Sequence, residues 1–418
     1  MNEFRFIHCS DLHIDSPFKG IMQSDSALAA KLREGTSKAW LNIVKLALKE
    51  KVDAVFISGD IFDGADRSLR AQFKFREGLS QLSQAGIPSF IVNGNHDPLD
   101  SWSRALSFPE GVTVFSGEQV ECFPVIKDGR ALAQIYGISF PQRDVQENLA
   151  KRFKVTPRDG FNIGLLHANV GGNTDHDSYA PCNLDDLKSD GMDYWALGHI
   201  HKREVLSAAN PAVVYCGNSQ ARHFKEAEPK GCCLVTLREK SEPDIEFVAT
   251  DAVRFSTLNL DLTGITNLEK MMQAARDGLQ TLMNGAGDRS VVLRLLLTGR
   301  TGLRMEWQQD GALADIASEL ADSFGNRELS IELVDHTRGL HNLEALREGK
   351  DFFADLISLY DETLTAPEDE LRDVVADLFS QWKGKAALDS LSEEDLKELL
   401  EEARDLTLDR LHLTDEVG

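Results

Sequence analysis

The chain has 418 residues, 42% of them apolar and 27% charged, which is enough to bury real cores and excludes a disordered polymer. Its 45 basic and 68 acidic residues leave a net charge of −23, which excludes coating of nucleic acid by bulk electrostatics, so any DNA contact must be local or metal-assisted. No apolar run approaches the ~18 residues of a membrane helix, and the start Met1-Asn-Glu-Phe-Arg lacks the regions of a signal peptide. A cytoplasmic protein without membrane contact is the expectation. Six cysteines (Cys9, Cys122, Cys182, Cys216, Cys232, Cys233) form no CxxC pair and read as reduced, mostly buried thiols.

Along the chain, residues 4–9, 54–58 and 89–93 read as buried strands. Trp40, Ile43, Val44, Ala47 and Leu48 recur at i, i+3, i+4, i+7 and i+8, one helical face laid on a sheet. A second helix is predicted over 69–85, stopped by Gly86 and Pro88. Strand signals then dominate at 132–137, 162–167, 194–197, 213–216 and 232–237, which suits a second sheet packed on the first. Residues 257–262, 291–297 and 329–334 with helices over 268–283 and 313–324 make a small β-α-β-α-β unit. From residue 350 on the chain is helical and acidic, with 20 acidic against 7 basic residues over 350–418, so 13 of the 23 net negative charges lie there. Its apolar stripes are Phe353, Leu356, Ile357, Tyr360, Leu364; then Leu371, Val374, Val375, Leu378, Trp382; then Leu396, Leu399, Leu400, Ala403, Leu406. Thr365 with Glu368, and Ser392 with Asp395, read as capping boxes for the second and third of these helices. These helices read either as packing on one another, with the charge only solubilising them, or, because the third stripe is Leu-rich and reads as short of partners, as a docking surface.

Five motifs occur in order, each at the end of an expected strand: Asp11-Leu-His13, Gly59-Asp60-Ile-Phe-Asp63, Gly94-Asn95-His96-Asp97, the isolated His167, and Gly198-His199-Ile-His201. Strand ends are where α/β folds place sites. A lone histidine is more often a satisfied core residue than a ligand, but together the five bring hard carboxylates, an amide oxygen and several imidazoles to one end of the fold. The reading is a two-metal centre: Asp11, His13 and His201 on one ion, Asn95, His167 and His199 on the other, and Asp60 bridging both. Nitrogen and oxygen ligands without thiolate suit Mn²⁺, Fe²⁺ or Zn²⁺ and disfavour Ca²⁺ or a structural zinc. Two ions ~3.5–4 Å apart clamp a phosphate and acidify a shared water, the chemistry of phosphoester hydrolysis. His96 is needed by neither ion and is free to stabilise the phosphoryl group and protonate the leaving oxygen, with Asp63 fixing its tautomer. Lys202, Arg203, Arg222, His223 and Lys225 lie next to the motifs, and Arg203, Arg222 and His223 are taken as substrate phosphate contacts. Arg143, Lys151, Arg152, Lys154 and Arg158 read either as a DNA-backbone track or as a solvated face. His176 is a candidate substrate contact, Trp102 a candidate stacking residue, and His8 a core residue.

These motifs resemble the calcineurin-like metallophosphoesterase superfamily, whose pattern is DxH, GDxxD, GNHD or GNHE, H, and GHxH. The domain order resembles the nuclease subunit of bacterial SbcCD complexes. The segments Asp15-Ser-Pro-Phe18, Asp193-Tyr-Trp-Ala-Leu-Gly-His199-Ile-His201-Lys-Arg203 and Gly217-Asn-Ser-Gln-Ala-Arg-His-Phe224 resemble DNA repair exonucleases of the YhaO type. The likeness is specific over 1–250 and architectural beyond. It implies an α/β fold, a four-layer metallophosphoesterase β-sandwich flanked by helices over 1–250, a small α/β capping domain over 251–345, and an acidic helical partner-docking tail over 346–418. The implied activity is a Mn²⁺-dependent DNA exonuclease, with single-strand endonuclease activity as an option, acting beside an SbcC-like or YhaN-like coiled-coil ATPase, with a homodimer as an option. The rival is a phosphatase or phosphodiesterase of the same superfamily acting on a nucleotide or other small phosphoester. Asp63 stands where archaeal relatives place a histidine, which leaves the balance of exonuclease and endonuclease action open.

Overall fold

The computed structural model describes residues 3–16, 26–64, 68–100, 107–156, 159–172, 179–188, 191–307, 309–325, 328–378 and 391–415; Trp102, Arg158, His176 and Trp382 lie outside them. The chain divides into two compact units, the first comprising Met1–Thr257, Met283–Leu293 and Asn326–Ser330. Among the described residues, the strands lying wholly within it are β1 (Glu3–Cys9), β2 (Ala54–Ser58), β3 (Ser89–Val92), β4 (Val112–Val114), β5 (Glu121–Lys127), β6 (Arg130–Gly137), β7 (Phe161–His167), β8 (Tyr194–Gly198), β9 (Glu204–Ser207), β10 (Ala212–Tyr215), β11 (Gly231–Arg238) and β12 (Asp244–Ala249). They form two six-stranded sheets, ordered β12-β11-β1-β2-β3-β4 and β5-β6-β7-β8-β10-β9.

Side-chain alternation on these strands makes the layers. Phe4 and Phe6 of β1 point into the space between the sheets, with Phe56, Phe90, Ile163, Leu165 and Val214. Ile7 and Cys9 point the other way, under α1 (Ser26–Glu50) and α2 (Leu69–Gln84), which lay down Trp40, Ile43, Val44, Phe75, Leu79 and Leu82. β2 is buried on both faces, as a central parallel strand must be, which is why Ala-Val-Phe-Ile-Ser is so legible in the sequence. Ser68 caps α2 by accepting the Ala71 N–H at 3.0 Å. The outer face of the second sheet carries Leu166, Trp195, Leu197 and Tyr215 under a thinner layer containing Leu149, Phe153 and the short α3 (Leu184–Leu187). His8 is a core residue, its ring bonded to the Tyr194 hydroxyl at 3.0 Å and to the Leu197 carbonyl at 3.1 Å. Burial depresses its pKa to about 3, so it stays neutral.

One expectation is overturned. The strand at 232–237 does not extend the second sheet; β11 pairs antiparallel with β1, and β12 follows it on the edge of the first sheet. Both faces of β11 are buried, Cys232 toward the helices and Cys233 between the sheets, so its composition carries no mark of which sheet it joins.

The second unit comprises Leu258–Leu282, Arg294–Gly325 and Ile331–Gly418. The expected β-α-β-α-β order is realised by β13 (Val253–Asp261), α4 (Leu268–Ala286), β14 (Ser290–Thr298), α5 (Ala312–Asp322) and β15 (Leu329–Asp335), with the strands in that order in the sheet. Among the described residues the helices that follow are α6 (Leu343–Glu348), α7 (Phe352–Leu364), α8 (Glu368–Leu378) and α9 (Glu393–Asp415). Ser392 and Asp395 do form a capping box at the start of α9. Thr365 does not: its hydroxyl donates to the carbonyls of Asp361 and Glu362 and closes α7. Pro367 shifts the start of α8, its carbonyl accepting the Leu371 N–H at 3.1 Å. On α9, Asp409 takes Arg304 at 2.8 Å and His341 at 2.6 Å, while Asp405 pairs with Arg300.

The third stripe is also not short of partners. Leu396 and Leu400 are buried against Leu371, with Leu364, Leu391 and Leu399 packed around them. Leu396→Ala should therefore destabilise this unit by about 2–5 kcal/mol, the usual cost of a core leucine, seen as a lower urea midpoint. Leu396→Asp with Leu400→Asp should unfold the helical layer instead of merely removing a docking surface. Unchanged urea curves for both variants would show that these leucines are solvated.

Candidate metal centre

Asp11 and His13 follow β1, Asp60 follows β2, Asn95 and His96 follow β3, His167 ends β7, and His199 and His201 follow β8. The carboxyl ends of parallel strands from both sheets thus supply one site. The loops are strained to do so: Asp11, His13, Asp60 and His199 have φ of 50°, 42°, 52° and 101°, a region that L side chains rarely adopt. Backbone bonds from Asp11 to the Gly59 carbonyl and from His13 to the Asp60 carbonyl, both 3.0 Å, lock two of these loops together. The motif glycines are sterically required. A Cβ at Gly59 or Gly198 would collide with the His167 ring or the Ser58 carbonyl, and one at Gly94 with the Asp60 carboxylate.

His13 Nε2 and His201 Nε2 face each other at 3.2 Å, with Asp11 Oδ1 3.8 Å from His201. Asp60 Oδ2 lies 4.0 Å from His13 Nε2 and 3.5 Å from His167 Nε2, which in turn is 2.9 Å from Asn95 Oδ1. His167 Nδ1 bonds the Ser58 carbonyl at 2.9 Å, which fixes the tautomer and leaves Nε2 a lone pair. Three sets gather ligand atoms within 4.8 Å of one another: Asp11, His13, His201; Asp11, Asp60, His167; and His13, Asp63, His96. Ligands about 2.1 Å from one ion stand roughly 3–4 Å apart, so these separations fit divalent cations. So does the donor chemistry, since two imidazole lone pairs held face to face repel unless a cation or proton lies between them. Buried His13 Nδ1 finds no hydrogen-bond partner among the described residues. The six cysteines are free, five of them buried, and none joins these sets.

His199 approaches through its backbone N–H, which donates to Asp11 at 3.1 Å, and its ring centroid is 5.3 Å from that of His167. His96 Nδ1 is 2.7 Å from Asp63 Oδ1. Arg222 reaches Asp63 at 3.2 Å and Ser16 at 3.1 Å, and its Nε is buried without a partner among the described residues. His223 Nε2 is 3.7 Å from Glu226. Arg203 is placed differently, its guanidinium 5.5 Å over the ring of Phe247 on β12. Lys151 and Arg152 are paired with Asp186 and Glu147, which favours the solvated-face reading of that segment.

Burial works against ionisation of Asp60, but the imidazoles of His167, His96 and His199 and the His96 N–H hold its carboxyl below the usual range. The His96 bond holds Asp63 well below it too. Burial alone would lower His96, yet the bond to Asp63 and the charge of Asp60 raise it. Burial drives His13 well below its ordinary value, aided by the charge of Arg222, so its nitrogens stay available as ligands.

Sequence reasoning missed several supporting residues. Ser10 donates to Asp11 Oδ2 at 2.5 Å, and Ser16 donates to Asp63 Oδ2 at 2.7 Å. Asp97 accepts the N–H groups of Gly94 and Ile61 at 2.9 and 2.8 Å, tying the β2 and β3 loops together; burial and nearby Asp60 push it up to about 7. Its place in the third motif was the available signal. Glu226 Oε1 is 2.7 Å from His201 Nδ1, an outer carboxylate that orients the ligand; burial opposes its charge, but His201 holds it at about 2. Glu226→Gln should weaken metal affinity by about 10–100-fold, the usual effect of such partners, measured by calorimetric Mn²⁺ titration. Wild-type affinity would make Glu226 a bystander.

Residues 4–203 match the calcineurin-like phosphoesterase family, and residues 255–337 match the middle domain of metallophosphoesterase YhaO. The chain is 34% identical over 418 residues to the uncharacterized metallophosphoesterase YhaO of Bacillus subtilis, covering 99% of this chain and 100% of that one. It is 23% identical over 316 residues to the DNA double-strand break repair protein Mre11 of Sulfurisphaera tokodaii, covering 72% and 75%. To the SbcD component of the SbcCD nuclease of Bacillus subtilis it is 26% identical over 260 residues, covering 53% and 63%. Among the described residues no helix is long and apolar enough to cross a membrane.

Proposed function

Because the chain belongs to the calcineurin-like metallophosphoesterases, hydrolases of phosphoester bonds, we propose that it is a metal-dependent DNA exonuclease, with single-strand endonuclease action at the same centre. The observation that carries this reading is the His96–Asp63 pair at 2.7 Å beside the ligand cluster. A deoxyribose oxygen is a poor leaving group and needs a proton, which a held imidazolium can deliver. The relatives named for DNA break repair and for the SbcCD nuclease support the same substrate.

In this reading Asp11, His13 and His201 would hold one ion, Asn95, His167 and His199 would hold the second, and Asp60 would serve both. Bound Mn²⁺, with Fe²⁺ or Zn²⁺ as alternatives, supplies Lewis acidity and an acidified water. Arg222 and His223 contact the phosphate; Arg203, engaged with Phe247, is left out of that set. A coiled-coil ATPase of the SbcC or YhaN type is the proposed partner, by likeness to the SbcD component. The test is purified protein with Mn²⁺ on end-labelled single- and double-stranded DNA, beside bis-p-nitrophenyl phosphate. Processive shortening of the DNA is expected. Hydrolysis of the small diester alone would replace the nuclease with a small-phosphoester enzyme.

A further inference from the structure

A trench of about 740 Å³ borders the candidate metal centre at His201 and is lined by Lys202, Lys225 and Lys230 and by the carboxylates Glu226 and Glu228. One of its walls is a candidate ligand, so whatever occupies it is next to the reacting phosphate. The negative charge of Glu226 is already satisfied from inside, by His201 at 2.7 Å and by the Arg222 N–H at 2.8 Å. The ammonium of Lys230 is fixed in place by the His201 carbonyl at 3.0 Å. Lys202 and Lys225 are exposed, and neither forms an ion pair with a described residue. In a chain with a net charge of −23, three ammoniums gathered in one trench against two carboxylates, one of them already satisfied from inside, make a local anion site beside the centre.

We propose that this trench is a second phosphate subsite that holds the phosphate next to the scissile one, so that the enzyme selects strands over isolated phosphodiesters. The proposal rests on the nuclease reading for the identity of the strand and adds what distinguishes a strand from a single ester. Lys202 and Lys225 act here as point charges on the backbone, without base readout, so the selection is for phosphate spacing and not for sequence.

Two measurements test it, one of them without metal. Binding of 5′-fluorescein-dT8 is followed by anisotropy in EDTA at several salt concentrations, for the wild type and for Lys202→Ala with Lys225→Ala. The variant should bind about 10-fold more weakly, and its salt slope should shrink by about 0.7, the contribution of one single-strand phosphate contact. With Mn²⁺, the ratio of kcat/KM for pTpT to that for TpT should exceed one in the wild type and fall toward one in the variant, through KM. A variant with wild-type affinity, slope and ratio would overturn the subsite. Failure of the nuclease reading has a different signature: the wild type would leave longer DNA uncut while still preferring pTpT, and loss of that preference in the variant would still support the subsite. If neither dinucleotide is cut, the EDTA titration decides alone.

Discussion

Asp60→Ala should lose at least one of two bound ions and reduce phosphodiester hydrolysis by ~10³-fold or more, since a metal clamp contributes several kcal/mol to charge stabilisation and each 1.36 kcal/mol is a decade. Asp60 reaches both halves of the cluster, lying 4.0 Å from His13 and 3.5 Å from His167. Its other oxygen accepts the His96 N–H at 2.9 Å, so alanine also releases the loop that carries His96. Asp60→Asn separates the two effects, because its amide oxygen can keep that bond while the shared charge is gone. Elemental analysis of metal per chain after gel filtration, together with bis-p-nitrophenyl phosphate rates, reads both. Asparagine should keep the thermal midpoint close to wild type and still lose metal. Two ions per chain and a wild-type rate in both variants would remove Asp60 as the bridge.

How much of this is legible in the sequence follows from what each element must satisfy. β2 and α2 stand out because β2 is buried on both faces and α2 has a serine cap and a glycine stop. β5, β9 and β12 escape notice because edge strands are half solvated; β5 even carries Pro124, which an edge tolerates. β11 is placed in the wrong sheet because a period of two tells a residue which face it is on, not which strand lies beside it. Three of the five motifs are visible because their glycines are sterically forced, at Gly59, Gly94 and Gly198, and Asp11-Leu-His13 because its short spacing survives in a linear sequence. Glu226 lies 25 residues from His201, with β9 and β10 between, and its pairing exists only after the chain has folded back. The same holds for Leu396 and Leu400, whose partner Leu371 sits on the preceding helix.

His96→Ala should leave the metal content intact and slow DNA cleavage by about 10²–10⁴-fold, the range of general acid catalysis. Asp63 is prepared to hold the imidazolium: one oxygen faces His96 Nδ1 at 2.7 Å, and the other accepts from Ser16 at 2.7 Å and Arg222 at 3.2 Å. With Asp63 held ionised and His96 raised above its usual value, the pair favours the protonated ring from which the leaving oxygen would take its proton. The ring nitrogen not bound to Asp63 is the one that can give it away. A p-nitrophenolate departs with little help, so the loss should be much smaller on p-nitrophenyl diesters than on DNA. Asp63→Asn should show the same dependence on leaving group with a smaller loss, since the ring remains but its charge partner is gone. The competing geometry is real, because His13, Asp63 and His96 gather ligand atoms within 4.8 Å and could hold an ion themselves. Metal counting decides between them: a His96→Ala protein that loses an ion, with equal rate losses on both substrates, makes this residue a ligand and takes away the acid.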